Sequence, residues 1–132
     1  MVLRLANVYG PGGRDRVIPL FADAARAGLP ITVFGRSKIL DFVWIEVWVD
    51  ALIKTAFGSY IRGPVNIGSG KGTTILDLAR RMVPLSRSVS TIEVVEKREQ
   101  EVGCFVADIS RAKRRLKIPE PDDPPWALCQ AI

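Results

Sequence analysis

Histidine is absent from all 132 residues, and the only two cysteines, Cys104 and Cys129, lack CxxC spacing. Without an imidazole there is no general base to activate Ser69, Ser86, Ser88 or Ser90, so a Ser-His-Asp hydrolase is not expected. A zinc site is not expected either, and the two thiols read as buried or half-buried free cysteines. No apolar run approaches the roughly 20 residues that span a bilayer, and the N-terminus lacks a signal peptide's basic region, apolar stretch and small-residue cleavage site. Neither membrane nor secretion is therefore expected, and a cytoplasmic location follows. A large excess of one charge is also missing: the net charge is +5. Much of the basic character falls on one predicted helix (Arg111, Lys113, Arg114, Arg115, Lys117), where a solvated face explains it, so nucleic acid is not an expected partner. With 48% apolar and 25% charged residues, the composition is that of a single globular domain.

What is present is an alternation of short apolar runs and helical patterns. Val2, Leu3, Leu5 and Val8 belong to an apolar run that breaks into Gly10-Pro11-Gly12-Gly13, which reads as a buried strand delivering its carboxyl end, with Asn7 on it, to a loop. In open α/β sheets ligands bind beyond the carboxyl ends of strands. Val17, Ile18, Leu20, Phe21, Ala24 and Ala25 then recur at helical spacing up to Gly28 and Pro30. Strands are expected at 31–34, 41–45, 64–67 and 91–96, and a helix from Glu46 to Phe57 stopped by Gly58. A further helix carries Ile75, Leu78, Ala79 and Met82 on one stripe, is capped by Thr73 or Thr74 and ends at Pro84. Asp108 or Ser110 caps a last helix that ends near Leu116, and a further helical turn starts at Trp126. Strands alternating with crossover helices imply an α/β fold with parallel pairings.

Several motifs fail on their spacing. Gly68-Ser69-Gly70-Lys71-Gly72 joins a strand to a helix, but a phosphate loop needs Gly where Val65 stands and Ser or Thr where Gly72 stands. It reads as a strand-to-helix turn. Gly10-Pro11-Gly12 lacks the third glycine of a dinucleotide fingerprint, since Asp15 occupies that position. Glu46 and Asp50 form an ordinary polar helix face, and Trp44 and Trp48 are expected to pack.

Taken in order, 3–12, Val17-Ile18-Pro19-Leu20-Phe21, Ile31-Thr32-Val33-Phe34-Gly35, Asp41-Phe42-Val43-Trp44-Ile45-Glu46 and Val65-Asn66-Ile67-Gly68-Ser69-Gly70 resemble the extended short-chain dehydrogenase/reductase family. The narrower resemblance is to its NAD-dependent nucleotide-sugar epimerases and dehydratases, from residue 2 to about Leu116. It implies that residues 1–132 form a single domain equivalent to the C-terminal, substrate-binding part of such an enzyme. The fold would be a partial Rossmann-like parallel sheet plus the small C-terminal substrate-binding subdomain, with the N-terminal NAD-binding part absent. The family's glycine-rich NAD turn and Tyr-x-x-x-Lys pair are not in this sequence: Tyr9 is followed four residues on by Gly13, and Tyr60 by Pro64. No catalytic residue and no cofactor are therefore expected in this chain alone, NAD belonging to the parent family.

By similarity, Asn7 would bond the diphosphate region of a nucleoside diphosphate sugar, Val17 and Ile18 would line the pocket, and Val33 would sit near the base. Arg98 would pair with the diphosphate through its planar fork, the alternative being a surface ion pair with Glu99 or Glu101. Two positions depart from the family. Leu40 stands where an arginine usually contacts the diphosphate, a loss on the order of 1.5–3 kcal/mol unless Arg36 or Lys38 compensates, and Gln100 stands where glycine is preferred. The leading expectation is the nucleotide-sugar-binding half of an NAD-dependent epimerase or dehydratase, not catalytically competent alone. The alternative is a non-catalytic, self-associating module of the same fold, and in either case a homo-oligomer is expected because an unpaired strand edge would need cover.

Overall fold

The computed structural model describes residues 2–58, 61–96 and 103–119. The elements run β1 (Val2–Leu5), β2 (Asn7–Tyr9), α1 (Val17–Arg26), β3 (Ile31–Phe34), β4 (Ile39–Leu40), β5 (Phe42–Trp44), α2 (Ile45–Phe57), β6 (Pro64–Ile67), β7 (Thr73–Thr74), α3 (Ile75–Leu85), β8 (Ile92–Val95), β9 (Cys104–Phe105) and α4 (Ser110–Leu116). The fold is α/β with parallel pairings, as expected: β1 with β6, β2 with β5, β3 with β8 and β4 with β9 are all parallel, and β4 with β7 is antiparallel. Among the described residues, no helix is long and apolar enough to cross a membrane.

The opening strand is one extended segment that changes neighbour halfway. Ala6 N donates to Ile67 O at 2.9 Å, finishing the ladder with β6, and the next residue, Asn7, donates its N–H to Asp41 O at 3.0 Å, starting the ladder with β5. A strand shared in this way joins two separate apolar cores. One gathers Tyr9, Ile18, Phe21, Val33, Leu78 and Met82 from β2, α1, β3 and α3. The other gathers Ala51, Val65, Ile67, Ala112 and Leu116 from α2, β6 and α4, with Leu3 packed against it. Trp44 packs on the first core, its ring 5.3 Å from that of Tyr9, and Trp48 packs on the second. One helical turn thus separates two aromatics that serve different cores. Gly10, just past β2, must be glycine because a Cβ there would lie 2.6 Å from Ile45 Cγ2.

The helices follow their expected spacing, with local differences. Thr74 caps α3, its Oγ1 accepting from Asp77 N at 3.0 Å. Pro84 lies inside the last turn of α3 rather than after it, and Ser86 N and Ser88 N close on Met82 O and Val83 O. Proline lacks an N–H, so Pro84 makes no bond to Arg80 O, and the Ser86 and Ser88 amides close the last carbonyls of the helix beyond it. The three-stranded β7–β4–β9 sheet was not expected, because strands of two residues carry no periodicity. Cys104, on β9 at the edge of that sheet, is free and exposed rather than buried. The expected last helical turn from Trp126 and the residues Cys129, Arg98 and Gln100 lie outside the described residues.

Neither Asp108 nor Ser110 caps α4, whose N-cap residue is Ile109 without a side-chain cap; Asp108 instead closes the turn ahead of the helix, its Oδ1 accepting from Ser110 N at 2.9 Å. Its carbonyl accepts from Asn66 Nδ2 at 3.1 Å, tying that turn to β6. The backbone and side-chain hydrogen bonds from Ser110 hold the Asp108 carboxyl below the usual aspartate range, with Arg114 adding a smaller pull in the same direction. A depressed carboxyl contributes stability above its unfolded-state pKa and loses it as the pH falls through the folded-state value. The stability gap between the protein and Asp108→Ala, read by urea denaturation, should therefore be constant near neutrality and close only below the ordinary aspartate range. A gap independent of pH down to acid denaturation would contradict this role of the Asp108 carboxylate.

Candidate functional site

Asp41 sits immediately before β5 and is fully buried. A buried carboxylate survives only where donors surround it. Its Oδ1 accepts from Ser69 N at 2.7 Å and Ser69 Oγ at 2.6 Å, and its Oδ2 accepts from Gly70 N at 3.0 Å and Ala107 N at 3.1 Å. The Asp41 carbonyl accepts in addition from Asn7 Nδ2 at 3.1 Å. One residue therefore fixes the change of neighbour at Asn7, the turn after β6 and the chain between β9 and α4. Gly68 has to be glycine here, since a Cβ would come within 2.6 Å of Asp41 Oδ2. The turn 68–72, expected to join a strand to a helix, leads from β6 into the short strand β7 ahead of α3, and the amides of Ser69 and Gly70 are taken by Asp41 and turned away from any external phosphate. The other glycine-bearing turn, after β2, does not lead directly into a helix: residues 10–16 intervene before α1. Neither turn presents helix-terminal amides to a dinucleotide pyrophosphate in the way a dinucleotide fingerprint does.

Asn7, anchored by Asp41, lines a cavity of about 200 Å³ together with Tyr9, Val17, Ile18 and Phe42, and with Asp15 and Arg16 as its charged members. Three of the expected site residues, Asn7, Val17 and Ile18, are thereby brought together beside the parallel strand pair β2–β5. A larger cavity of about 430 Å³ lies alongside, walled by Leu20, Phe21, Ile31, Phe34 and Ile75, with Thr32 and Lys38 as its polar members. Val33 is fully buried in the first core and does not line the cavity, whereas Ile31, Thr32 and Phe34 of β3 do. Leu40 borders both cavities. Of the two cations near it, Lys38 faces the larger cavity, whereas Arg36 lies 3.9 Å from Glu96 on the surface. Among the described residues no group of three His, Cys, Asp or Glu side chains is arranged to hold a metal ion.

Sequence reasoning missed Asp41 as the organising residue. The signal available was weak: a single acid ahead of a Phe-Val-Trp run, with its donors 28 and 66 residues away.

Comparison with known proteins agrees with this architecture. The profile of the NAD dependent epimerase/dehydratase family matches residues 1–68, and the chain belongs to that family. A dTDP-L-rhamnose 4-epimerase of Burkholderia thailandensis is 37% identical over 86 residues, which are 60% of this chain and 24% of that protein. UDP-glucuronic acid decarboxylase 2 of Arabidopsis thaliana is 29% identical over 119 residues, 87% of this chain and 26% of its own length. The UDP-glucose 4-epimerase of Thermotoga maritima, solved with UDP-glucose, has a TM-score of 0.86 at 27% identity, covering 98% of this chain and 43% of that one. The chain thus spans about a quarter of the length of the curated relatives it matches.

Removing the carboxylate from Asp41 should strand the buried amides of Ser69, Gly70 and Ala107, at about 1–3 kcal/mol for each unsatisfied donor. Asp41→Ala is expected to lower the unfolding free energy by about 3 kcal/mol or more, and Asp41→Asn by less, since one acceptor oxygen survives. Urea denaturation of both variants checks this, and an Asp41→Ala loss under about 1 kcal/mol would sink the assignment.

Proposed function

We propose that this chain supplies the nucleotide-sugar-binding part of an NAD-dependent epimerase, dehydratase or decarboxylase, and that it does not transfer hydride by itself. The observation that carries the reading is the convergence of Asn7, Val17 and Ile18 on one small polar-lined cavity beside a larger apolar one. An apolar cleft with a few placed polar groups is the usual form of a small-molecule site, the apolar part burying a planar ring and the polar part fixing orientation. Two of the similar proteins take their names from dTDP-L-rhamnose and UDP-glucuronic acid, both nucleoside diphosphate sugars. In this reading the base occupies the larger cavity next to β3, where Val33 holds the strand in place from behind. The diphosphate lies towards Asn7, and Arg98 is the residue assigned to pair with it.

NAD is assigned to the parent enzyme and not to this chain. The sequence contains no glycine-rich dinucleotide turn and no Tyr-x-x-x-Lys pair, and a tyrosine without a neighbouring lysine has nothing to favour its phenolate as a base. Calorimetric titration with UDP-glucose and dTDP-glucose is expected to show saturable binding of at least one, and titration with NAD none. Arg98→Ala should weaken that binding tenfold or more, the equivalent of about 1.4 kcal/mol or above for a charge-assisted contact, without moving the melting temperature. No saturable signal from either sugar nucleotide would overturn the reading.

A second reading, self-association, rests on a different observation. Val49, Leu52, Ile53 and Phe57 form an exposed apolar stripe on α2, and Phe57 is 88% exposed. Among the described residues β1 is paired along one edge only, with β6, and Val2 and Leu5 beside it are exposed. Unpaired edges and apolar stripes of this kind favour association with another chain. Sedimentation velocity should then show a concentration-dependent dimer that Ile53→Lys disrupts, whereas a monomer at every concentration would remove this reading.

A further inference from the structure

The lining of the smaller cavity includes two charged neighbours, Asp15 and Arg16, beside Asn7. Asn7 already commits one N–H to Asp41 O, so its amide oxygen and second N–H are what it can offer a ligand. Asp15 and Arg16 are both exposed, at the rim of the cavity. Among the described residues the Arg16 side chain has no hydrogen-bond or ion-pair partner, whereas Arg26, Arg36 and Arg80 lie 2.6, 3.9 and 3.6 Å from Asp23, Glu96 and Asp77. Its backbone is nevertheless fixed. Arg16 is extended ahead of α1, with φ −121° and ψ 155°, and its carbonyl accepts from Leu20 N at 3.0 Å in the first turn of the helix. The root of the side chain is thus held beside Val17 and Ile18, which line the same cavity, while the guanidinium is available to an incoming group.

We propose that Arg16 is a diphosphate-binding residue of this chain and that Asp15 opposes it, so that together they set how strongly the smaller cavity favours an anionic ligand. The proposal rests on the reading of the site as one for a nucleoside diphosphate sugar. A guanidinium presents a planar fork of donors that can hold phosphate oxygens two at a time. A carboxylate one residue away repels the same anion. Leu40 also borders this cavity and brings no charge, and neither cation close to it in sequence serves here: Arg36 lies by Glu96 on the surface, and Lys38 faces the larger cavity. Arg16 is the cation that shares a cavity with Leu40 and Asn7 among the described residues.

The test titrates the full chain and its variants with whichever of UDP-glucose and dTDP-glucose binds the unmodified protein. Arg16→Gln should weaken binding at least tenfold, and Asp15→Asn should strengthen it at least twofold. Arg14→Gln is the control: Arg14 is exposed and carries the same charge two residues earlier without lining the cavity, so its loss should change affinity less than twofold. Thermal melting monitors folding, and if Arg16→Gln does not fold, Arg16→Ala removes the same group and is read instead. An Arg16 variant within twofold of the unmodified protein, equal losses from the Arg14 and Arg16 variants, or weaker binding by Asp15→Asn would each overturn the proposal and leave the nucleotide-sugar reading intact. Absence of binding of both sugar nucleotides to the unmodified protein would overturn both, so the two failures are told apart.

Discussion

The Asp41 carboxylate is the constraint on which the rest of the molecule depends. A charge of this kind in an apolar interior costs several kcal/mol unless it is matched by donors. Here the donors are the Ser69 hydroxyl and the backbone amides of two segments far apart in sequence, 69–70 and 107, and those amides cannot relocate without moving the chain. The acid is therefore a three-way fastener: its carbonyl holds Asn7, one oxygen holds Ser69, and the other holds Gly70 and Ala107. The exposed ion pairs, such as Arg26 with Asp23 at 2.6 Å and Lys54 with Asp50 at 2.7 Å, are shorter than some of these contacts but contribute about 0–1 kcal/mol each in solvent. Burial, not distance, decides which of the two kinds of interaction shapes the fold.

The fastener sits where the two apolar cores adjoin. The first core is built on α1, β3 and α3 and the second on α2, β6 and α4. They share the opening strand, which passes from one ladder to the other between Ala6 and Asn7. Asn7 is at that step, with its amide fixed to Asp41 O and one side of it on the smaller cavity. The side chain that ties the junction also borders the smaller cavity, so that corner of the cavity is fixed by the junction between the cores.

Much of this was legible in the chain itself, and what was not has physical reasons. Val17 to Ala25 and Ile75 to Met82 repeat at helical spacing, and Ile31 to Phe34 and Pro64 to Ile67 are short apolar runs bounded by turn residues. Those patterns record which face of an element is buried, and they yielded α1, α3, β3 and β6. Ile39–Leu40, Thr73–Thr74 and Cys104–Phe105 are too short to have a period, so the small sheet that frames Leu40 left no trace. The role of Asp41 was equally hidden, since a local pattern says nothing of donors brought in from 66 residues away. At the site, the grouping of Asn7, Val17 and Ile18 followed from resemblance, whereas the burial of Val33 in the core, away from the cavity, did not.

The turn 68–72 shows why a phosphate-loop look-alike can be purely structural. A row of backbone N–H groups at the end of a strand makes a small region of positive potential, and such a nest is filled by an anion whatever its source. In nucleotide-binding loops the anion is an external phosphate, and the loop must stay open to solvent to receive it. In this chain the anion is internal: Ser69 is 1% exposed, and the carboxylate that fills the nest is itself fully buried. The same glycine-rich composition serves both arrangements, because close approach of an oxygen to the backbone excludes a Cβ in either case, as the 2.6 Å approach at Gly68 requires. The difference lies in a single acid elsewhere in the chain, which fills the nest from within and makes a potential binding loop a fixed wall of the fold.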